Sequence, residues 1–511
     1  MSKVISRRRR TASKVGRARP VAASRVRPYV TRAIPCLDIL DDDGLAMIER
    51  EADRLLKEVG IDFRGDTEVL KILADAGATV DGERVRFDEG LLRSIIQTHA
   101  PAEFIQHARN PARSVKIGGK NTVFAPTYGP PFVCSLDFER RYGTLEDLQI
   151  LIKLAYMSDS LHHSGGIICE PTDIPVSKRH LDTLYSHIKY SDKAFMGAAT
   201  SGERAADSVE IARILFGADF VDNNCCLASL VNVNSPLVLD DSMLAALKIY
   251  ARAGQAVTVT PFIIAGATGP TTIAANLVQG LAETMAGVAL TQLINPGTPV
   301  MAGFLSTAIN MRSGAPSRGP EPNLALIAFG QLMRRLGVPW RAGGSFSTSK
   351  ILDAQAMQEA STFIYSTILA GANFVIHAAG SFEGGLCTSF EKFVMDADNL
   401  SMMERMLGGI TVNKDECALE AFKEVGPGEH YLGCQHTMSR YQDAFHVSTI
   451  ANSDSFEQWK EAGSLDATTR ANHLWKKMLD EYVPPALDPA VDEALGEYID
   501  NRKSQLPDSF A

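Results

Sequence analysis

The sequence predicts an α/β protein: a (β/α)8 TIM barrel with a helical cap before it and a helical extension after it. Three observations predict this. From residue 121 to residue 407, short apolar or small-residue runs alternate with helical patterns. The alternation repeats eight times, and strand alternating with helix means a parallel sheet. The stretch also has about the length that eight such units need to close on themselves. A doubly wound open sheet is the alternative topology.

Residues 1–37 come first. They hold eleven Lys or Arg and no acid, whereas the full chain carries a formal −9. No apolar segment follows the arginines, so this is not a secretory signal. It reads as a disordered, solvated basic arm. An electrostatic tether and an Arg-rich transit segment are the other readings. The acidic remainder would repel phosphate, which argues against nucleic acid as a partner.

Residues 38–115 read as a mainly helical cap. Leu45, Ile48, Ala52, Leu55, Leu56 and Val59 have helical spacing, and Gly60 follows as a stop. Helices over 66–76 and 88–98 flank a hairpin that turns at Asp81-Gly82.

The barrel is expected over 116–410. Its strands are predicted at 122–125, 164–169, 194–198, 225–231, 256–263, 298–304, 338–342 and 372–378. The helices are predicted at 144–159, 176–190, 202–216, 240–253, 271–294, 320–336, 353–370 and 390–407. Residues 411–511 read as a polar helical extension, with Trp459 and Trp475 as packing anchors and prolines at 484, 485 and 489 as breaks.

Composition fits a soluble globular protein, at 45% hydrophobic and 22% charged. No run approaches 18 uninterrupted apolar residues, so no membrane span is expected. Eight cysteines without a C-x-x-C pair suit reduced thiols in the cytoplasm.

In such a barrel the chemistry gathers at the carboxyl ends of the strands. The first strand leads into Phe124, Thr127, Tyr128 and Phe132, and the second ends at Glu170. The fourth ends at Asn232 and Asn234. The fifth ends at Phe262, before Gly266 and Thr271, and the sixth ends at Phe304. The seventh loop carries Phe346, and the eighth carries His377 and Glu383. No Lys or Arg is expected at a strand end, which argues against a phosphorylated substrate. The rings of Phe124, Tyr128, Phe132, Phe262, Phe304 and Phe346 could enclose a cation by ring-face attraction, or serve as core packing. His377 is the one histidine expected at a strand end, as a substrate contact, a proton donor or a core residue. Glu170 would meet a cation or cap the next segment. The turn from Gly266 to Thr271 precedes a helix, where free N–H groups favour an anion.

The only tight clusters of metal-ligand types are His162-His163 and Cys225-Cys226. Both fall at the starts of predicted strands, the wrong end of the barrel. Neighbouring strand residues also point to opposite faces. No metal site is expected.

Several separated segments resemble the trimethylamine methyltransferase superfamily. They are GPTTIAANLVQGLAE (269–283), INPGTPV (294–300), SKILDAQAMQEA (349–360) and AGANFVIHAAGSFEGGLCTSFEKFVMDAD (370–398). HYLGCQHTMSRY (430–441) and FEQWKEAGSLDATTRANHLWKKML (456–479) continue the likeness. It covers roughly 38–500 and leaves out the basic arm.

The resemblance implies a (β/α)8 barrel that moves a methyl group from an amine to the cobalt of a separate corrinoid protein. The cobalamin would be carried by that partner, docked over the barrel mouth, and none would be bound by this chain. The archaeal trimethylamine enzymes carry pyrrolysine. This sequence has only standard residues, and the special residue would fall around 345–349. That departure points to the branch similar to glycine betaine and other quaternary amine methyltransferases. Proline betaine, carnitine, choline and trimethylamine are alternative substrates, and a non-catalytic quaternary-amine binder is an alternative role. A homo-oligomer is expected.

Under this reading Phe124, Tyr128, Phe304 and Phe346 form a cation cage. His377 and the 266–271 turn bind a carboxylate, and Asn232 and Asn234 orient the substrate. A quaternary amine leaves as a neutral amine, so no strong acid is required. The protein must hold the cation, aim one methyl and exclude water.

Overall fold

The computed structural model describes residues 26–510. The basic arm up to Arg25 lies outside the described residues.

The fold is mixed α/β. Among the described residues seven parallel strands form its centre: β1 Asn121–Phe124, β2 Phe195–Met196, β3 Leu227–Val233, β4 Ala256–Ala265, β5 Val300–Gly303, β6 Trp340–Gly343 and β7 Phe374–Ile376. They neighbour one another in the order β2-β3-β4-β5-β6-β7-β1. All eight predicted helices form, from Leu145–Met157 to Phe390–Leu407.

The predicted strand at 164–169 does not form. Its place is taken by a bent segment whose backbone still bridges β1 and β2. The His162 and His163 N–H groups donate to the Phe124 carbonyl at 3.0 and 3.2 Å. Ser164 N–H donates to Ala194 O, and Met196 N–H donates to Gly165 O, both at 2.8 Å. Imidazoles take over ladder positions: Phe124 N–H donates to His162 Nδ1 (3.1 Å), and Gly165 N–H donates to His163 Nδ1 (2.9 Å). Donors spent on side chains are lost to a regular ladder.

Strand alternation divides the interior in two. Val257, Val259, Phe304 and Trp340 face the helices in the large apolar cluster. Val123, Met196, Leu230, Met301, Phe374 and Ile376 form a smaller cluster on the inner face. Thr258 and Thr260 alternate with Val257 and Val259, and Arg341 follows Trp340, so these polar residues share the inner side.

The loops at the carboxyl ends build additional structure. Phe132–Ser135 and Phe138–Tyr142, after β1, join Ser381–Phe382 and Cys387–Ser389, after β7, in a four-stranded sheet. After β5, Leu305–Ile309 pairs with the end of β4 and turns back through Pro316–Ser317, delivering Arg318.

Helix Ile273–Ile294 is long and apolar enough for a membrane span, but it is buried within the protein. The parallel strands cover one side. The N-terminal helices Asp42–Glu58 and Leu91–His99 pack on another. A helix enclosed in this way has no need of a polar stripe.

Residues 26–37, read from sequence as part of the solvated arm, are docked instead. Val30–Thr31 pairs antiparallel with Thr122 and Asn121. Arg32 is buried, and its Nη1 donates to Ile368 O at 2.6 Å. At the other end, helix Ala467–Asp480 packs on Phe390–Leu407. Trp475 anchors it there, donating to Glu391 at 3.0 Å. Trp459 only closes its own turn, by donating to Leu465 O.

Candidate active site

His377 is placed by the backbone. It follows β7 with φ +62, a left-handed conformation that costs a non-glycine residue energy and marks constrained sites. Its N–H donates to Pro126 O at 3.0 Å. The Tyr128 N–H donates to its Nδ1 at 3.3 Å, and the Thr127 hydroxyl lies 3.3 Å from the same atom. Nδ1 is therefore an acceptor, and the proton of the neutral ring sits on Nε2. Burial first, and then the charges of Arg341 and Arg318, hold the imidazole well below its ordinary pKa. His377 is neutral at physiological pH.

The two arginines overturn the expectation of a mouth without cations, and with it the argument against phosphate. Arg341 lies within the run read as apolar, 338–342. It is 2% exposed and has no hydrogen-bond or ion-pair partner among the described residues; its buried Nε is unpartnered. Burial lowers its pKa to about 10. Arg318 is partly buried, and its guanidinium lies 4.6 Å from the ring centres of both Phe346 and Phe363. Its Nη1 is buried without a partner. Phe346 also meets the His377 ring, with centroids 4.3 Å apart.

Tyr128 is half-buried and its ring rests on Gly166, where an added Cβ would lie 2.7 Å from the ring. Burial and then Glu170 push its hydroxyl pKa up, while Arg341 opposes them. Tyr128 is thus within electrostatic reach of both Glu170 and Arg341. Glu170 is partly buried, with a long 3.8 Å contact to Arg179. Burial raises its pKa, opposed by Arg179 and Arg204. Asn232 and Phe262 are exposed, on the same strand faces as Leu230 and Thr260, at the mouth.

The remaining predicted residues go elsewhere. Phe124 and Phe304 lie in the core, because their inner-facing neighbours are Val123 and Gly303. Phe124 stacks on His162 at 5.5 Å, and Phe304 stacks on Phe329 at 4.3 Å. Asn234 latches its own loop through Asp240 at 3.0 Å. Gly266 and Thr271 form an exposed turn against Ile309 and Met311, beyond the extended β4, rather than against His377. Glu383 pairs with Arg140 at 3.1 Å in the added sheet. A groove of about 700 Å³ beside that sheet is lined by Phe382 and Glu383 but includes neither His377 nor Tyr128.

Sequence reasoning missed the supports of the site. Glu359 accepts from Ser347 Oγ (2.9 Å) and Thr348 N–H (2.6 Å), which fixes the loop after β6. Lys392 and Asp396 form a fully buried ion pair beneath the loops. A Lys and an Asp four apart on an otherwise apolar helix face was the available signal.

The trimethylamine methyltransferase (MTTB) family matches residues 6–507. This chain belongs to the trimethylamine methyltransferase family. It is 42% identical to the glycine betaine methyltransferase of Desulfitobacterium hafniense (strain Y51), over 93% of this chain and 98% of that one. It is 29% identical to the proline betaine:corrinoid methyltransferase of Eubacterium limosum, over 87% and 94%. The crystal structure of the Methanosarcina barkeri monomethylamine methyltransferase is a looser likeness: TM-score 0.42 and 11% identity, over 89% and 96%. Within this family member, no group of three His, Cys, Asp or Glu side chains is placed to hold a metal among the described residues. His162 is committed to Phe124 N–H and Glu404, and His163 to Gln106 and Gly165.

Proposed function

We propose that this protein transfers a methyl group from a quaternary amine, glycine betaine foremost, to a separate corrinoid protein. One observation carries the reading: the likeness to a glycine betaine methyltransferase runs over nearly the full length of both chains. The site geometry agrees with it. Tyr128 and Glu170 offer an aromatic face and a negative charge to a trimethylammonium group. His377, neutral and fixed through Nδ1, does not repel that cation.

The partner's corrinoid supplies the methyl acceptor. This chain binds the cation, aims one methyl carbon outward and keeps water away. The carbon–nitrogen bond breaks with its electron pair passing to nitrogen, so dimethylglycine leaves without needing a proton from the protein.

The reading includes a (β/α)8 barrel, in which the 162–165 segment stands as the eighth staff between β1 and β2. Its bridging hydrogen bonds support closure. The partner docks over the carboxyl ends of the strands. A basic arm, a helical cap over 38–115, a barrel over 116–410 and an extension over 411–511 remain the proposed division. The reading also includes a homo-oligomer. Its support is the apolar surface of the extension, where Val412 is 78% and Phe445 82% exposed. The cytoplasm is the proposed location, where eight free thiols stay reduced.

A substrate panel tests the proposal. Glycine betaine, proline betaine, carnitine, choline and trimethylamine are each supplied with a reduced corrinoid protein. Demethylated product is expected fastest from glycine betaine. Thermal stabilisation by these amines without product from any of them would instead assign a binding protein.

A further inference from the structure

We propose that Arg341 and Arg318, together with the Nε2 edge of His377, form an anion site that takes the carboxylate of the substrate and restricts the enzyme to carboxylate-bearing quaternary amines. The proposal rests on the methyl-transfer reading above and deepens it.

Arg318 lies 4.6 Å from the centre of the Phe346 ring, which itself lies 4.3 Å from the His377 ring, and Arg341 stands on β6, paired with the β7 strand that leads into His377. A buried guanidinium is costly unless it is paired. Arg341 is buried on the inner face of β6 with no partner among the described residues, and Arg318 leaves Nη1 buried and unpaired. The surrounding acids are already committed. Glu359 is near Arg318, but its oxygens accept from Ser347, Thr348 and Gln355. Asp396 is held by Lys392, and Glu383 by Arg140.

The rest of the inner face points the same way. Thr258 and Thr260 hydroxyls are also buried without partners. His377 spends Nδ1 on the protein and keeps its Nε2 proton unspent. Unmet donors beside two fixed positive charges await an acceptor that the described residues do not supply. A carboxylate satisfies guanidinium donors in pairs. Tyr128 feels both the Glu170 carboxylate and the Arg341 guanidinium, charges of the two signs that a short zwitterion carries.

The test is isothermal titration of the full chain with glycine betaine, choline and inorganic phosphate. Choline keeps the trimethylammonium group and lacks the carboxylate. Betaine is expected to bind at least about tenfold tighter than choline, as the loss of a charge-assisted hydrogen bond implies. In Arg341→Gln and Arg318→Gln variants that gap should close, with betaine weakened and choline unaffected. Arg318 lies after a surface hairpin, so its variant decides the matter if Arg341→Gln does not fold. Equal affinities for betaine and choline in the native protein, or variants that keep the gap, would overturn the proposal while leaving methyl transfer standing. Phosphate binding tighter than betaine would reassign the arginines to a phosphorylated ligand. Binding of no quaternary amine at all would remove the broader reading with it.

Discussion

Lys392 and Asp396 stand one turn apart on helix Phe390–Leu407, with Nζ 2.6 Å from Oδ2 and both side chains fully buried. The same Nζ donates to Ser345 O at 2.9 Å, and the same Oδ2 accepts the Gly380 N–H at 2.9 Å. One ion pair thus ties the loop after β6 to the loop after β7, the two loops that flank His377. Replacing one member strands a buried charge. Lys392→Met should cost about 3–5 kcal/mol in chemical denaturation. Lys392→Met combined with Asp396→Leu should recover most of that stability but not the substrate affinity that depends on loop position. A single variant as stable as the native protein would contradict this account.

His377 offers a hydrogen bond without a charge. His377→Ala should raise KM for betaine roughly tenfold or more, the scale of a hydrogen bond to a charged group, with a smaller effect on kcat. Because burial and two arginines keep the ring neutral, KM in the native enzyme should stay flat from pH 8 to about pH 6. A KM that changes tenfold through the ordinary histidine range would show that the ring titrates there.

Stability should nevertheless respond to acid. Burial lowers His163 to about 3 and His187 to about 4, and His377 is also held low. These groups stay neutral in the folded protein while the unfolded chain takes up protons near 6.5. Their stability contribution is present above that pH and is lost as pH falls below it. Each should cost about 1.4 kcal/mol per pH unit within its window. Asp396, raised to about 6 by burial against Lys392, acts oppositely between its folded and ordinary values. Burial also raises Asp53, Glu170 and Glu283, which act with Asp396, but the histidine shifts are the larger, so the melting temperature should fall from pH 6.5 to pH 4.5. A flat profile would contradict the burial of these rings.

The extension bears Val412, Phe422, Leu432, Phe445 and Phe456 largely exposed between 412 and 456. A corrinoid partner that comes and goes would leave this surface bare between visits, whereas a second copy covers it permanently. Light scattering should therefore find an oligomer. Leu432→Asp with Phe445→Asp should shift it toward monomer, with both side chains solvent-facing and the fold intact. A native monomer would rule out this use of the surface.

The eight helices were legible because their apolar spacing is long and regular. The parallel strands were legible from the alternation itself. The bent segment at 162–165 was not, because its imidazoles capture backbone donors that a strand would use in the ladder. Within the site, His377, Tyr128 and Phe346 could be read from strand ends. Phe124 and Phe304 were misplaced by a single step of strand alternation, since one residue of register exchanges the mouth for the core. Arg341 stood in plain view within VPWRA, where a lone charge inside a buried strand is the clearest sign of an unmet ligand. Arg318 depended on a hairpin that the apolar pattern does not announce.

The most direct test of the central claim is a single-turnover reaction. The purified protein is mixed with a Co(I) corrinoid protein and glycine betaine labelled with ¹³C in its methyl groups. The account predicts one dimethylglycine released for each labelled methyl gained by the corrinoid protein. Absence of dimethylglycine while the corrinoid protein remains competent with another methyl donor would contradict it.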